Sequence, residues 1–449
     1  MSSNYSKIRF IGYAIPTTPG NLIPIGNPNG PGAVAGTYLG NPDVETDINN
    51  RILVLKNAVD LAKNALPKNE DPTSIINLFV APEFYFHGVD GPYVYSTTGT
   101  DPADMVIQKL QSTFPASDYP NWTFVFGSAI TAKVDNLQNV YDSNYATIRN
   151  SVVHNLSKNW QDAYGPLQDV IFDMLVNFIK NCHSYPNMEV RNRAMIVSNI
   201  ALSSSATNEP FVGSGMTTEK YFVSNEDFLL YEASSPPKQV VTEQMTAYPV
   251  IDLSGGDLKR SNHDKFSVFR QNYGSGNFPA YMDFGIEICL DHSDVRLRRN
   301  INNEPWSNPA VDAIHVQIIP SCGMQISAPS VAADKNGFVF NCDGQYNLDT
   351  TTTPQANAQS GVNCAYVNYI QNSNYAAHTQ LATVLQPATG PNPALNGSNN
   401  ATFNTLTTND VVSIPVTTTP LGQNFNSYFA GGPGEVHIYG VQNGYVLYP

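Results

Sequence analysis

Apolar runs of strand length and longer segments of helical pattern alternate along the first part of the chain. The order is an apolar run from Ile8, a Gly/Pro-rich loop over Pro16–Pro42, the segment INNRILVLKNAVDLAKNAL and a second apolar run over Ile75–Ala81. This order predicts strand, loop, helix and strand. Strands that alternate with helices in this way are typical of an α/β fold.

Two further segments carry helical patterns. The segment 102–114 begins with a proline and follows Asp101, which predicts a helix with Asp101 as its N-cap. Apolar residues recur at three- and four-residue steps over 165–182, which predicts an amphipathic helix.

The C-terminal part favours strands over helices. The run AYVNYIQN predicts a last core strand, and beyond it the chain becomes rich in Thr, Asn, Pro and Gly. Short alternating runs at 411–416 and 436–448 predict strands or hairpins. We therefore expect one large domain over 1–380 and a β-rich extension over 381–449.

Composition and charge exclude several classes of protein. A chain of 449 residues that is 41% hydrophobic can bury a large core. A net charge of −14 with only 23 Lys and Arg opposes a nucleic-acid partner, because nucleic-acid affinity depends mostly on cationic groups. Five cysteines without a CxxC pair favour reduced thiols and no structural zinc. The start of the chain lacks a secretion-signal pattern and no long apolar run is present, so we expect a cytoplasmic protein without a membrane partner.

Three groups suited to nucleophilic catalysis lie beside predicted strands. Cys289 ends the apolar run in YMDFGIEICLDHS, Glu83 follows Pro82 at the end of an apolar run, and Lys220 lies between β-favouring stretches. A cysteine thiol has a pKa of about 8.5, so near neutral pH it needs a proton acceptor or a positive field to attack efficiently. Glu83 can supply the acceptor and Lys220 the positive field.

In this chain order the pieces resemble the nitrilase, or carbon–nitrogen hydrolase, superfamily. Its members carry a Glu after a Pro-Glu strand end, a Lys, and a Cys within G-x-x-x-C-x-D. The matching pieces here are Pro82-Glu83, Lys220 and GIEICLD at 285–291. Further segments resemble strands of the family, namely SKIRFIGYAIP, NWTFVFGSAI, VRNRAMIVS and DAIHVQIIPSCG. The order of the pieces, more than any single motif, carries the resemblance.

The resemblance implies a four-layer α-β-β-α sandwich. The intervals between Glu83, Lys220 and Cys289 are longer than in compact members of the family, which implies insertions near 132–188 and 232–262. Family members commonly pair through helices, so a homodimer is the expected assembly.

The position of the lysine leaves alternatives open. The family's Lys usually follows an aromatic-basic pair, whereas Lys220 follows Thr-Thr-Glu, so Lys238 and Lys259 are alternatives. We favour Lys220, because many family members have a second Glu a few residues after the Lys and Glu226 fits that interval.

The activity that the resemblance implies is hydrolysis of a non-peptide carbon–nitrogen bond, with an amide as the favoured substrate. Cys289 would form the thioester, Glu83 would act as acid and base, and Lys220 would stabilise the oxyanion. No metal or organic cofactor is implied, and the substrate would be a small amide or nitrile. Amidase, nitrilase, carbamoylase and N-acyltransferase branches share this trio. The competing class is an inactive hydrolase scaffold or a carbohydrate- or surface-binding protein.

Four more residues have a functional and a structural interpretation. Glu226 would orient Lys220 or line the pocket, or else lie on the surface. Glu287 lies two positions before the cysteine and would approach the site, or form a strand-end hydrogen bond. Phe84 and Tyr85 would form an aromatic wall of the substrate pocket, or pack in the core.

Overall fold

A computed structural model describes most of the chain. The described residues are 5–17, 20–25, 33–37, 39–89, 91–96, 98–134, 188–200, 215–220, 230–232, 238–240, 267–272, 281–300, 314–344, 366–367, 377–406, 411–417, 420–429 and 432–447.

Strands make up most of the regular structure in these residues. The strands are β1 Lys7–Ala14, β2 Gly20–Ile25, β3 Ala33–Thr37, β4 Ile75–Ala81, β5 Tyr93–Ser96, β6 Trp122–Val134, β7 Met188–Ser198, β8 Gly215–Glu219, β9 Leu230–Glu232, β10 Lys238–Val240, β11 Val268–Asn272, β12 Tyr281–Ile286, β13 Ile314–Ser321, β14 Ala333–Asp343, β15 Tyr366–Val367, β16 His378–Gln386, β17 Thr402–Thr405, β18 Val411–Pro415, β19 Glu435–Tyr439 and β20 Tyr445–Val446. The helices are α1 Val44–Ala65, α2 Pro102–Thr113, α3 Leu290–Ser293 and α4 Arg296–Asn300, and 3-10 turns occur at Ala328–Ser330 and Gly422–Ser427.

Two mixed sheets form the framework of an α/β fold. The first has the order β18-β19-β1-β4-β6-β7-β8, with β20 also paired to β1 and β5 to β6. Its centre, β1-β4-β6, is parallel. The second has the order β11-β12-β13-β14-β16-β15, with β17 on β16, and β12, β13 and β14 are parallel. The pairs β2-β3 and β9-β10 form separate two-stranded sheets.

The two sheets pack face to face through apolar side chains. The Phe10 ring of β1 lies 5.2 Å from the Phe338 ring and 5.3 Å from the Phe340 ring of β14. At Gly12 the sheets come so close that a Cβ atom would lie 2.4 Å from Cγ2 of Thr379. Truncation of a phenylalanine in such a layer typically costs about 3–5 kcal/mol.

The helices α1 and α2 cover the other face of the first sheet. Residues alternate along β4, so Phe79 packs in the same cluster as Leu55 of α1 and Val106 of α2, whereas Leu78 belongs to the layer between the sheets. On the outer face of the second sheet, Leu297 of α4 packs with a small apolar cluster. None of the described helices is long and apolar enough to cross a lipid bilayer.

Several predicted elements are confirmed. The helix after Asp101 is α2, and the Asp101 side chain accepts a hydrogen bond from the Ala103 main chain. The helix between the first two apolar runs is α1, with Asp43 as its N-cap. The predicted C-terminal strands are present as β18, β19 and β20.

Other expectations differ from the structure or lie outside the residues that it describes. The Gly/Pro-rich stretch 16–42 contains the hairpin β2-β3 as well as loop. The predicted boundary at 380/381 falls inside β16, and β19 pairs with β1, so the C-terminal strands complete the first sheet. The strand that pairs with β14 is β16, and only Tyr366–Val367 of the predicted last core strand is described. The segment 165–182 and most of the predicted insertions near 132–188 and 232–262 lie outside the described residues.

Candidate active site

Cys289 lies in a strained turn between a strand and a helix. β12 ends at Ile286, and α3 begins directly after the cysteine. Cys289 has φ 49° and ψ −107°, which is uncommon for a residue with a side chain and costs on the order of 1–3 kcal/mol. Its main-chain N–H donates to the Pro320 carbonyl at 3.0 Å. In known hydrolases a sharp strand-to-helix turn of this kind presents a nucleophile at the end of a sheet.

Glu83 is held just after the end of β4, in the first sheet. Its side chain is fully buried, and its main-chain N–H donates to the Ser321 carbonyl at 3.3 Å. Ser321 follows the Pro320 that binds Cys289, so both candidate residues attach to the carboxyl end of β13. The next residue, Phe84, also has a positive φ of 59°. Two strained residues at one end of the sheets are typical of a functional site.

Lys220 contacts Glu83 directly. The Lys220 Nζ donates to the Glu83 Oε1 at 2.9 Å, and the two side chains are 2% and 0% exposed. The same Nζ lies 5.7 Å from the centre of the Phe84 ring. The two residues lie 137 positions apart in the chain, and the ends of β8 and β4 bring them together.

A third set of contacts joins the lysine segment to the cysteine turn. Nη1 of Arg296 donates to the Glu219 carbonyl at 2.8 Å and to Oδ2 of Asp291 at 2.9 Å. Glu219 precedes Lys220, and Asp291 follows Cys289 by two positions. The structure therefore gathers all three predicted catalytic residues in one region at the junction of the two sheets.

Glu287 supports the turn rather than extending the ion pair. Its Oε1 accepts from the Leu297 main chain at 2.7 Å, and its Oε2 binds Nδ1 of His292 and Nε2 of Gln317, both at 2.6 Å. The Nε2 of His292 accepts from the Ser327 N–H at 3.0 Å, so the imidazole proton lies on Nδ1. This carboxylate fixes the two short helices that follow the cysteine.

The two aromatic candidates separate. Phe84 lies beside Lys220 and is 8% exposed. Tyr85 belongs to the core: it is fully buried, its hydroxyl donates to the Arg51 carbonyl at 3.1 Å, and its ring lies 5.1 Å from that of Phe429. Tyr85 therefore fits the second of its two interpretations, packing in the core, because adjacent residues after β4 point to different layers. Burial also raises the pKa of the Tyr85 phenol well above its ordinary value.

Three residues named from the sequence contribute nothing further here. Glu226 and Lys259 lie outside the described residues. Lys238 begins β10, in the separate pair β9-β10, where its partner in register is Glu232.

Two residues at the site were not found from the sequence. Asn192 of β7 donates from Nδ2 to the Glu83 Oε1 at 2.9 Å. Asp343, at the end of β14, accepts from the Gly323 N–H at 2.7 Å and the Met324 N–H at 2.8 Å. It thereby orders the loop in which the Cys322 carbonyl oxygen lies 3.9 Å from Sγ of Cys289. Neither residue has a local sequence signature, because Asn192 stands between two arginines in β7 and Asp343 ends a strand that also carries Asn341.

No protein-family model matches the sequence, and no curated protein matches it at a significant level. Within the described part of the chain, no group of three or more His, Cys, Asp or Glu side chains could hold a metal ion. The functional interpretation therefore depends on the chemistry of the thiol, the carboxylate and the ammonium group.

Proposed function

We propose that the protein hydrolyses a non-peptide carbon–nitrogen bond, with a small amide as substrate, through a thioester on Cys289. The observation that carries this proposal is the buried Lys220–Glu83 pair beside the strained cysteine turn. A thiol, a carboxylate and an ammonium group in one buried region are the set that acyl transfer through cysteine requires.

Energetics favour a catalytic over a structural interpretation of the ion pair. Removal of two charges from water costs several kcal/mol for each ion, and an apolar pair of similar volume would stabilise a core equally well or better. The Lys220–Glu83 pair is buried more deeply than a surface salt bridge and lies where two strands end. Buried ionisable groups at such a place are typical of active sites.

Each residue has a role in a balanced sequence of steps. Glu83 accepts the Cys289 thiol proton, and the thiolate attacks the amide carbonyl to give a tetrahedral oxyanion. The Lys220 ammonium and a main-chain N–H after the cysteine stabilise this oxyanion. Glu83 then donates its proton to the leaving amine, and the thioester remains.

Water completes the cycle. Glu83 accepts a proton from a water molecule, the resulting hydroxide attacks the thioester, and the carboxylic acid leaves as the thiol regains its proton. An amine in place of water would give acyl transfer, and a nitrile or N-carbamoyl substrate would use the same three residues.

We also propose that the fold is the four-layer α-β-β-α sandwich of the nitrilase type. The packing of the two sheets, with α1 and α2 on one outer face, supports three of its layers. The helix α4 on the outer face of the second sheet is consistent with the fourth layer.

Thiol alkylation tests the central claim without knowledge of the substrate. Iodoacetamide should label Cys289 far faster than the other four cysteines, as measured by mass spectrometry of the digested protein over time. Cys342 is the internal control, because it is also buried, at 0% exposed against 6% for Cys289, but lies inside β14. Slow labelling of Cys289 at the rate of Cys342 would favour an inactive, binding scaffold.

A substrate panel then selects the branch. Amides, nitriles and N-carbamoyl compounds are incubated with the protein, ammonia release is measured, and Cys289→Ala serves as the blank. We expect release from amides that the Cys289→Ala variant does not show. Ammonia release from nitriles alone would indicate a nitrilase instead of an amidase.

A further inference from the structure

Asn192 links the two charged residues of the proposed site. It lies in β7, between the strands that lead to Glu83 and Lys220, and it is 1% exposed. Its side-chain Nδ2 donates to Oε1 of Glu83 at 2.9 Å, and its main-chain carbonyl accepts from the Lys220 N–H at 2.8 Å. One residue thus contacts the carboxylate through its side chain and the lysine through its backbone.

The side chain of Asn192 is not needed to hold β7 in place. The residues on either side of it anchor the strand through strong ion pairs: Arg191 binds Glu219 through two hydrogen bonds, and Arg193 binds Asp101 at 2.6 Å. β7 also pairs with β6 and β8 along its length.

The amide is moreover a costly choice for a buried position. Within the described residues, Oδ1 of Asn192 is buried and has no hydrogen-bond partner. A buried acceptor left in this way costs on the order of 1–3 kcal/mol. Because the side chain of Asn192 carries this cost and donates to Glu83, we attribute its role to the Glu83 carboxylate rather than to the stability of the strand.

We propose that Asn192 is a positioning residue that fixes the orientation of the Glu83 carboxylate for proton transfer with Cys289. The terminal torsion of a glutamate side chain is broad, so its two oxygens are oriented by their partners rather than by the rotamer. Asn192 and Lys220 both donate to Oε1. With two donors on one oxygen, the plane of the carboxylate is set.

This inference rests on the proposed function, and two variants test it. Asn192→Ala removes the donor, and Asn192→Leu keeps the branched shape of the side chain but has no donor. Asn121→Ala is the matched control. Asn121 directly precedes β6 and is also buried, but its Nδ2 donates to the Ile75 carbonyl of β4 at 2.7 Å. The folded fraction of each variant is measured by circular dichroism.

Both Asn192 variants should lower kcat for amide hydrolysis by about 10- to 100-fold. This is the range expected when one hydrogen bond to a charged group is lost from the transition state. KM should change little, because the lost contact acts on the chemical step. The alkylation rate of Cys289 should fall in parallel. Asn121→Ala should leave both rates per folded molecule unchanged.

The outcomes separate the two claims. If wild-type Cys289 is alkylated no faster than Cys342, the proposed function fails. If wild-type Cys289 is fast and the Asn192→Ala or Asn192→Leu variant is equally fast, the positioning role is overturned while the proposed function stands. Wild-type behaviour of Asn192→Leu together with a slow Asn192→Ala would show that only the shape of the residue matters, and would also overturn the inference.

Discussion

Two buried cysteines of the second sheet differ in position, and we propose that this difference decides the reactivity of each thiol. Cys289 is 6% exposed and Cys342 is fully buried. Cys342 lies inside β14, in register with Pro320 on one side and Thr379 on the other, and its thiol donates to the Tyr13 carbonyl at 3.5 Å. Cys289 lies past the end of its strand, in a strained turn.

Their electrostatic surroundings differ as well. Burial raises the pKa of the Cys342 thiol well above its ordinary value, and the Asp343 carboxylate raises it further. Cys289 instead attaches to the end of β13 that also holds Glu83, whose carboxylate binds the Lys220 ammonium. Burial in apolar surroundings makes a thiol inert, whereas a nearby positive charge or proton acceptor favours the reactive thiolate.

The largest expected difference is in turnover. Cys289→Ala should lower kcat by about 10⁴-fold or more, because the covalent step is lost. Cys342→Ala should keep turnover per folded molecule, since that thiol lies in the layer between the sheets. Ammonia release from the best amide of the panel measures both. Equal losses in the two variants would remove the distinction between the thiols.

The next largest expected effect is the loss of kcat when either charged residue, Lys220 or Glu83, is replaced. Lys220→Met should lower kcat by about 10²–10³-fold, the loss typical of one oxyanion donor. Glu83→Gln should lower it by about 10²–10⁴-fold, the contribution typical of general acid–base catalysis. Both variants should slow the alkylation of Cys289 and leave that of Cys342 as it is in the wild type. A Glu83→Gln protein with unchanged Cys289 labelling contradicts the role of Glu83 as proton acceptor.

A smaller effect concerns the support of the cysteine turn. Glu287→Ala removes the acceptor of three hydrogen bonds, from the Leu297 main chain, His292 and Gln317, and should lower the free energy of unfolding by about 3 kcal/mol. Urea unfolding measures this change. Lys56→Ala is the control, because the Lys56 and Asp60 side chains are 35% and 39% exposed and their pair should contribute no more than about 0.5 kcal/mol. Equal changes in the two variants would contradict the supporting role.

The smallest effect is the alkaline dependence of stability that Cys342 contributes. Its folded pKa lies above the unfolded value of about 8.5, so its contribution is complete below that pH and is lost as the pH rises. The loss should approach about 1.4 kcal/mol per pH unit between the two pKa values.

Urea unfolding at pH 8, 9 and 10 in wild type and Cys342→Ala checks this dependence. The buried phenols of Tyr85 and Tyr93 also have raised pKa values, but they are common to both proteins and cancel in the difference. Parallel pH profiles would mean that Cys342 ionises as easily in the folded state as in the unfolded one.

Local patterns predicted the elements around the site well. Glu83 and Cys289 could be singled out from the sequence because each follows an apolar run. A polar or nucleophilic residue directly after such a run is placed at the end of a strand. The N-cap of α2 at Asp101 is confirmed, since capping depends on residues within one turn. The sequence pattern does not distinguish Phe84 from Tyr85. In the structure the positive φ of Phe84 marks the point where the chain leaves the core for the candidate site. Asn192 had no signal, because its partner lies 109 positions away.

The sequence by itself determined the presence of elements such as β4, α1 and α2, because their apolar patterns and caps depend on neighbouring residues. It also determined which side chains stand at strand ends. Only the tertiary structure decided that β19 pairs with β1 and that Asn192 contacts Glu83. Such contacts join residues far apart in the chain, and their free energy comes from burial and hydrogen bonding that exist only after the sheets have packed.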